Sequence, residues 1–179
     1  KTVWWPVAQD TKTALPVWDA EDNPPRRSGN GYPSWQRVVA IDPFAHPSDT
    51  SNAVIDFAGR AFPGVRRFGL DAFYSVAVDS DLAGRLMRDP EARRTTLLAL
   101  GRTLQAGDHL VLVGVNLATK EIRDWNWTSL WWHDRGDRGP FAAGRPNTLQ
   151  PAWRNYLMQV AFDTHLPVAA DGGAHICFN

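Results

Sequence analysis

Residues 125–133 read WNWTSLWWH. A strand sends alternate side chains to opposite faces, so this pattern places Trp125, Trp127, Ser129, Trp131 and His133 on one side and Asn126, Thr128, Leu130 and Trp132 on the other. Indoles two positions apart on a strand lie roughly 6.6–7 Å from one another. Three of them beside an imidazole make an aromatic surface on which a sugar ring or another planar apolar face can stack, at on the order of 1 kcal/mol per stack. Asp124 at the strand entrance and Asn126 would orient such a ligand if they reach the rim, and Trp4, Trp5 or Trp35 could extend the platform. The same alternation suits the inner face of a sandwich, because large aromatics bury well once the indole N–H finds a partner. Both readings stand on the sequence.

Other chemistry has weaker patterns. The 5 histidines, His46, His109, His133, His165 and His175, fall in no metal-ligand motif: there is no His-Glu-X-X-His and no Cys-X-X-Cys. On strands, His175 and Cys177 would share a face, as would Asp163 and His165, and the four could converge on zinc or copper if those strands are neighbours. No Gly-X-Ser-X-Gly elbow is present, and a single cysteine beside one histidine is thin support for a thiol enzyme. Asp124, Asp134 and Asp137 flank the aromatic strand, but a catalytic carboxylate pair is defined by distance, not by spacing in sequence, and turn aspartates are ordinarily solvated. Asn126-Trp127-Thr128 fits the glycosylation acceptor pattern and Arg135-Gly136-Asp137 is a tripeptide that integrin ligands display; both are short enough to recur by chance.

The elements that would position these residues are mostly strands. Residues 3–7 (VWWPV) are apolar, too short for a helix, and carry a proline that only an edge tolerates. Residues 19–34 hold Pro24, Pro25, Gly29, Gly31 and Pro33 among charges, a long loop suited to a flap over a site. Residues 35–41 (WQRVVAI) form a strand stopped by Asp42-Pro43, and the alternation through 67–78 predicts a second, half-buried one. The period then changes. Asp89-Pro90-Glu91 supplies an N-cap, a first-turn proline and a first-turn acid for a helix with leucines at 97, 98, 100 and 104, after a shorter helix over 82–87. Gly107-Asp108 turns the chain into 109–117 (HLVLVGVNL), which has the apolar run of a central, fully buried strand. Residues 155–162 (NYLMQVAF) give a last strand after a Gly/Pro/Arg-rich loop over 134–150, and 171–179 a turn and short strand.

The expected fold is therefore mostly β: a β-sandwich or flattened barrel of about 7–9 strands with a helical insertion near 80–105, as one β-rich domain over 1–179 whose first 34 residues are partly irregular arm and loop. A chain of 179 residues with 44% hydrophobic and 21% charged residues can bury a core without staples. Lys plus Arg and Asp plus Glu both total 19, so no net field draws in a polyanion, and nucleic acid is not an expected partner. No run approaches the roughly 18 apolar residues of a bilayer span, so no transmembrane helix is expected. The start at Lys1 and the 9 tryptophans lead us to expect an exported protein, its signal peptide removed.

The stretch 118–134 (ATKEIRDWNWTSLWWHD), with 153–158 (WRNYLM) and the ending 175–179 (HICFN), resembles a group of uncharacterised exported bacterial proteins described as c-type-cytochrome-like. The likeness covers about the last third of the chain. In that group a Cys-X-X-Cys-His haem-attachment sequence follows this region; here Cys177 is the only cysteine. The resemblance thus implies a periplasmic or extracellular setting without covalent haem, and carries over no catalytic residue. Three functions remain open: a non-catalytic module binding a carbohydrate-like ligand on Trp125, Trp127, Trp131 and His133; an accessory domain of a periplasmic redox or hydrolytic enzyme using His133, His165, His175 and Cys177; or a structural subunit that buries its tryptophans against a partner or a second copy. No cofactor is expected, a metal ion only in the second case.

Overall fold

The computed structural model describes residues 1–17, 37–45, 51–120, 125–143, 145 and 151–162. Among these, nine strands form two sheets. The larger holds β1 (Thr2–Val7), β6 (Ser75–Ala77), β7 (His109–Thr119), β8 (Asn126–Trp132) and β9 (Tyr156–Phe162), in the order β1-β7-β8-β9 with β6 paired to the start of β7. The smaller holds β2 (Thr13–Val17), β3 (Arg37–Ile41), β4 (Asn52–Phe57) and β5 (Arg60–Phe68), in the order β2-β3-β5-β4. Every pairing is antiparallel except a short parallel contact of β3 with β5. The fold is mostly β and sandwich-like, as the alternating patterns predict.

The smaller sheet is buried on both faces at β3, where Val39 and Ile41 join one cluster and Val38 and Ala40 another. Val7, Val111 and Trp132 from the larger sheet meet Leu15, Val39 and Ile41 from the smaller in one apolar cluster, and Ile55, Phe57, Phe62 and Val65 make a second on the smaller sheet. Trp5 packs against both clusters, with its indole N–H donated to the Ala14 carbonyl at 3.0 Å. Tyr156 is wholly buried; its hydroxyl donates to the Leu112 carbonyl at 2.7 Å and accepts the Tyr74 N–H at 3.3 Å. Burial pushes the Tyr156 phenol well above its ordinary value, so it remains a neutral donor in the core. Pro6 lies on β1, at the end of the strand order, where the missing N–H is tolerated.

The helical excursion is α1 (Ser80–Leu86) and α2 (Pro90–Leu100). Asp79 and Asp89 cap them by accepting the Leu82 and Ala92 N–H at 2.7 and 2.8 Å, and Gly101 closes α2 in the left-handed conformation. Leu100 and Leu104 pack with Val78 and Ala83, whereas Leu97 and Leu98 are exposed, so only part of the leucine run faces the core.

Three expectations are corrected. Residues 67–78 are not one strand: β5 ends at Phe68, a 3-10 turn spans Leu70–Ala72, and β6 starts at Ser75. The break falls at Gly69, where an added Cβ would lie 2.8 Å from the Ala45 carbonyl oxygen, so the chain passes too close to the 42–45 turn for a side chain. Residues 109–117 are not buried throughout, because Asn116 and Leu117, toward the end of β7, are exposed. The hairpin of β4 and β5 is additional to the predicted strands. Its Ala58-Gly59 turn has φ 51° and 78°, both left-handed, as a two-residue hairpin of this twist requires.

Candidate functional site

The alternation predicted for the aromatic strand is present over β8 and separates its tryptophans. Trp132 faces the core, 4% exposed, stacked on Phe73 at 4.3 Å and edge-on to Phe68 at 5.1 Å, with its indole N–H on the Ala72 carbonyl at 3.0 Å. Trp125 and Trp127 are 50% and 49% exposed, their ring centroids 6.5 Å apart. The three-indole face is thus the outer one. Trp131 shares it but is half-buried, because Phe141 of α3 (Pro140–Ala143) meets its ring edge-on at 5.2 Å.

Antiparallel register shows what surrounds the exposed rings, since residues directly opposite one another share a face about 4.5–5.5 Å apart. Trp127 lies between Ala118 on β7 and Ala161 on β9. Both are exposed, and their methyl groups are too short to cover the indole. One step along the strand, Ser129 lies between Asn116 and Gln159, and its hydroxyl donates to Asn116 Oδ1 at 2.8 Å. That bond leaves the Asn116 amide N–H groups and the Ser129 lone pairs available to a ligand. A further step brings Gly114, Trp131 and Leu157 into line; Leu157 is fully buried beneath α3, which packs on β9. At the opposite end the Lys120 ammonium stands 5.7 Å from the Trp125 ring centroid, within cation–π range. The outer face of β7, β8 and β9 therefore offers an apolar platform, then a row of amide and hydroxyl groups, then a lid.

His133 does not join this face. β8 ends at Trp132, and the next residue turns inward: His133 is 1% exposed, its N–H is donated to the Asn155 carbonyl at 2.7 Å, and its Nδ1 accepts the Arg135 N–H at 2.9 Å. A ring nitrogen that accepts a backbone N–H carries no proton, so Nδ1 cannot also donate to Asp134 Oδ1 at 3.4 Å and the contact is not an ion pair. Asp134 is buried too, and both its carboxylate oxygens lie 2.7 Å from Arg37 Nη2. Arg66 donates to the Asp134 carbonyl at 2.5 Å. These residues tie the end of β8 to β3 and β5 of the smaller sheet, which is a structural task. Gly136 is packed so tightly that an added Cβ would be 2.5 Å from the Arg154 carbonyl oxygen, which holds the middle of the Arg135-Gly136-Asp137 turn against the 3-10 segment Pro151–Asn155 while Arg135 and Asp137 are exposed.

Of the other predicted site residues, Asn126 has the parity opposite to Trp127, Trp5 is partly buried and packs against the core, and Trp4 is on β1, separated from β8 by β7. Trp35, His46, Asp124, Asp163, His165, His175 and Cys177 lie outside the described residues. Among the described residues no three His, Cys, Asp or Glu side chains gather as a metal site, and no helix is long and apolar enough to cross a membrane. Asn116, Gln159, Ala118 and Ala161 belong to the site but carry no signal in sequence, because only strand register brings them beside Trp127 and Ser129.

Fold and face together define a sandwich-like β domain with an aromatic row open to solvent on its larger sheet. Comparison with protein-family models, with curated proteins and with solved structures returns no match.

Proposed function

We propose that the chain is a non-catalytic binding module that stacks a carbohydrate on Trp127 and Trp125. The observation that carries this reading is the exposed Trp127 ring set between two alanines and one strand step from Asn116, Ser129 and Gln159. A pyranose offers the same two-part chemistry, an apolar C–H face and a rim of hydroxyl groups that both donate and accept. The periplasmic or extracellular setting that the sequence resemblance implies is where glycans are met. A glycan array probed with the full chain and with Trp127→Ala tests the proposal: signal on one glycan class, lost in the variant, is expected. An array with no signal, or signal independent of Trp127, contradicts it.

A second reading is favoured by Leu117 and Val160, 49% and 41% exposed, which flank Thr128 on the opposite face of the same three strands. In this reading that end of the sheet enters an interface with another protein or a second copy. Light scattering over a concentration series distinguishes the two: a particle that stays one chain in size argues against self-association.

A further inference from the structure

The two exposed indoles are not coplanar. Their ring planes meet at 42° with centroids 6.5 Å apart, so a rigid flat ligand lying on one ring lifts away from the other. Trp131, the third indole of the row, meets Phe141 edge-on and is half-buried, so it does not extend the flat surface. A face of crystalline polysaccharide, with its rings in a common plane, would therefore lie flat on only one indole. A single chain free to rotate about its glycosidic bonds can turn between one ring and the next and lie flat on both.

We infer, resting on the glycan-binding reading above, that this face takes a single soluble glycan chain running along β8, and not the surface of a crystalline polymer. The direction follows from the order of the outward residues: Trp125, Trp127 and then Ser129 follow one another along the chain, with Asn116 and Gln159 flanking the last. The usable length runs from Trp125 to Ser129, about 13 Å at the rise of an extended chain, which is the length of a di- or trisaccharide. Beyond it α3 covers Trp131 and Leu157. The polar row lies to one side of the platform, so one end of the bound chain is held by stacking and the other by hydrogen bonds from the Asn116 and Gln159 amides.

The full chain is titrated, by its own tryptophan fluorescence, with soluble β-linked di-, tri- and hexasaccharides of glucose, xylose, mannose and N-acetylglucosamine. In parallel it is mixed with microcrystalline cellulose and crystalline chitin. Trp125→Ala and Trp127→Ala are carried through both arms, their folding checked by circular dichroism. The inference expects saturable binding to at least one soluble chain, weakened about ten-fold in each variant, no retention on either solid, and affinity that stops rising beyond the trisaccharide. Retention on a crystalline solid that Trp127→Ala abolishes, with or without binding to a soluble chain, overturns the single-chain inference and leaves glycan binding standing. A folded protein that none of these probes binds, or whose Trp127→Ala variant binds unchanged, overturns both.

Discussion

Arg37 on β3 and Asp134 just beyond β8 join the two sheets through a guanidinium nitrogen 2.7 Å from both carboxylate oxygens, with the Asp134 side chain 3% exposed. The pair fixes the turn that follows the aromatic strand, and so helps set where β8 lies in its sheet. Taking away the carboxylate removes both of these charge-assisted bonds from a guanidinium that is only 28% exposed. Asp134→Ala should cost about 2–4 kcal/mol in urea unfolding, at the lower end of what breaking a buried pair costs because Arg37 is partly exposed. In a double-mutant cycle with Arg37→Ala the two losses should fall well short of additive; additive losses would mean the contact is energetically idle.

The division of the aromatic strand makes a second expectation. Trp132→Ala empties a core site that contacts Phe68 and Phe73 and should cost about 3–5 kcal/mol. Trp127→Ala trims an exposed ring between two alanines and should stay within about 1 kcal/mol. Equal losses at the two positions would show that the outer face is not outer.

The Asp108 carboxylate sets a pH dependence. Burial would push its carboxyl up, but Arg102, held at 2.7 and 2.8 Å, and the Gln105 and Gln9 N–H groups together bring it below its ordinary value. The folded chain thus releases this proton more readily than the unfolded one. Its stabilising contribution is complete above the unfolded value of about 3.9 and is lost as pH falls through the lower, folded value. Asp108→Asn should be less stable than the parent at neutral pH, with the gap closing in acid. A gap that stayed constant down to acid unfolding would contradict the assignment.

Gly136 offers a steric test. With the Arg154 carbonyl oxygen 2.5 Å and the Asn155 Cα 2.9 Å from where a Cβ would stand, Gly136→Ala must push backbone against backbone. A loss of about 1–3 kcal/mol is expected in denaturant unfolding, and a neutral substitution would show that the turn can move away.

Much of this fold was legible in the sequence. The period of two over 125–132 gave β8 and its two faces, and Asp89-Pro90-Glu91 announced α2 because capping is written in adjacent residues. What failed did so for physical reasons. Alternation continued on paper through Gly69–Ala72, where a close approach to Ala45 breaks the strand. β5 contains Pro63 and Gly64, which interrupt the pattern of a strand, yet it pairs with both β4 and β3. His133 was placed on the outer face by extending the alternation one residue past the strand's end, where hydrogen bonds to Asn155 and Arg135 take over. The polar row of the candidate site was out of reach altogether, since register between distant strands is a tertiary property.

The central claim, that the outer face of β8 binds a glycan by stacking, is tested most directly by calorimetric titration of the parent and Trp127→Ala with the glycan selected on the array. The parent should bind saturably and the variant about ten-fold more weakly or worse, while the variant's Tm stays within about 4 °C of the parent's. Equal affinities in two folded proteins would contradict the claim.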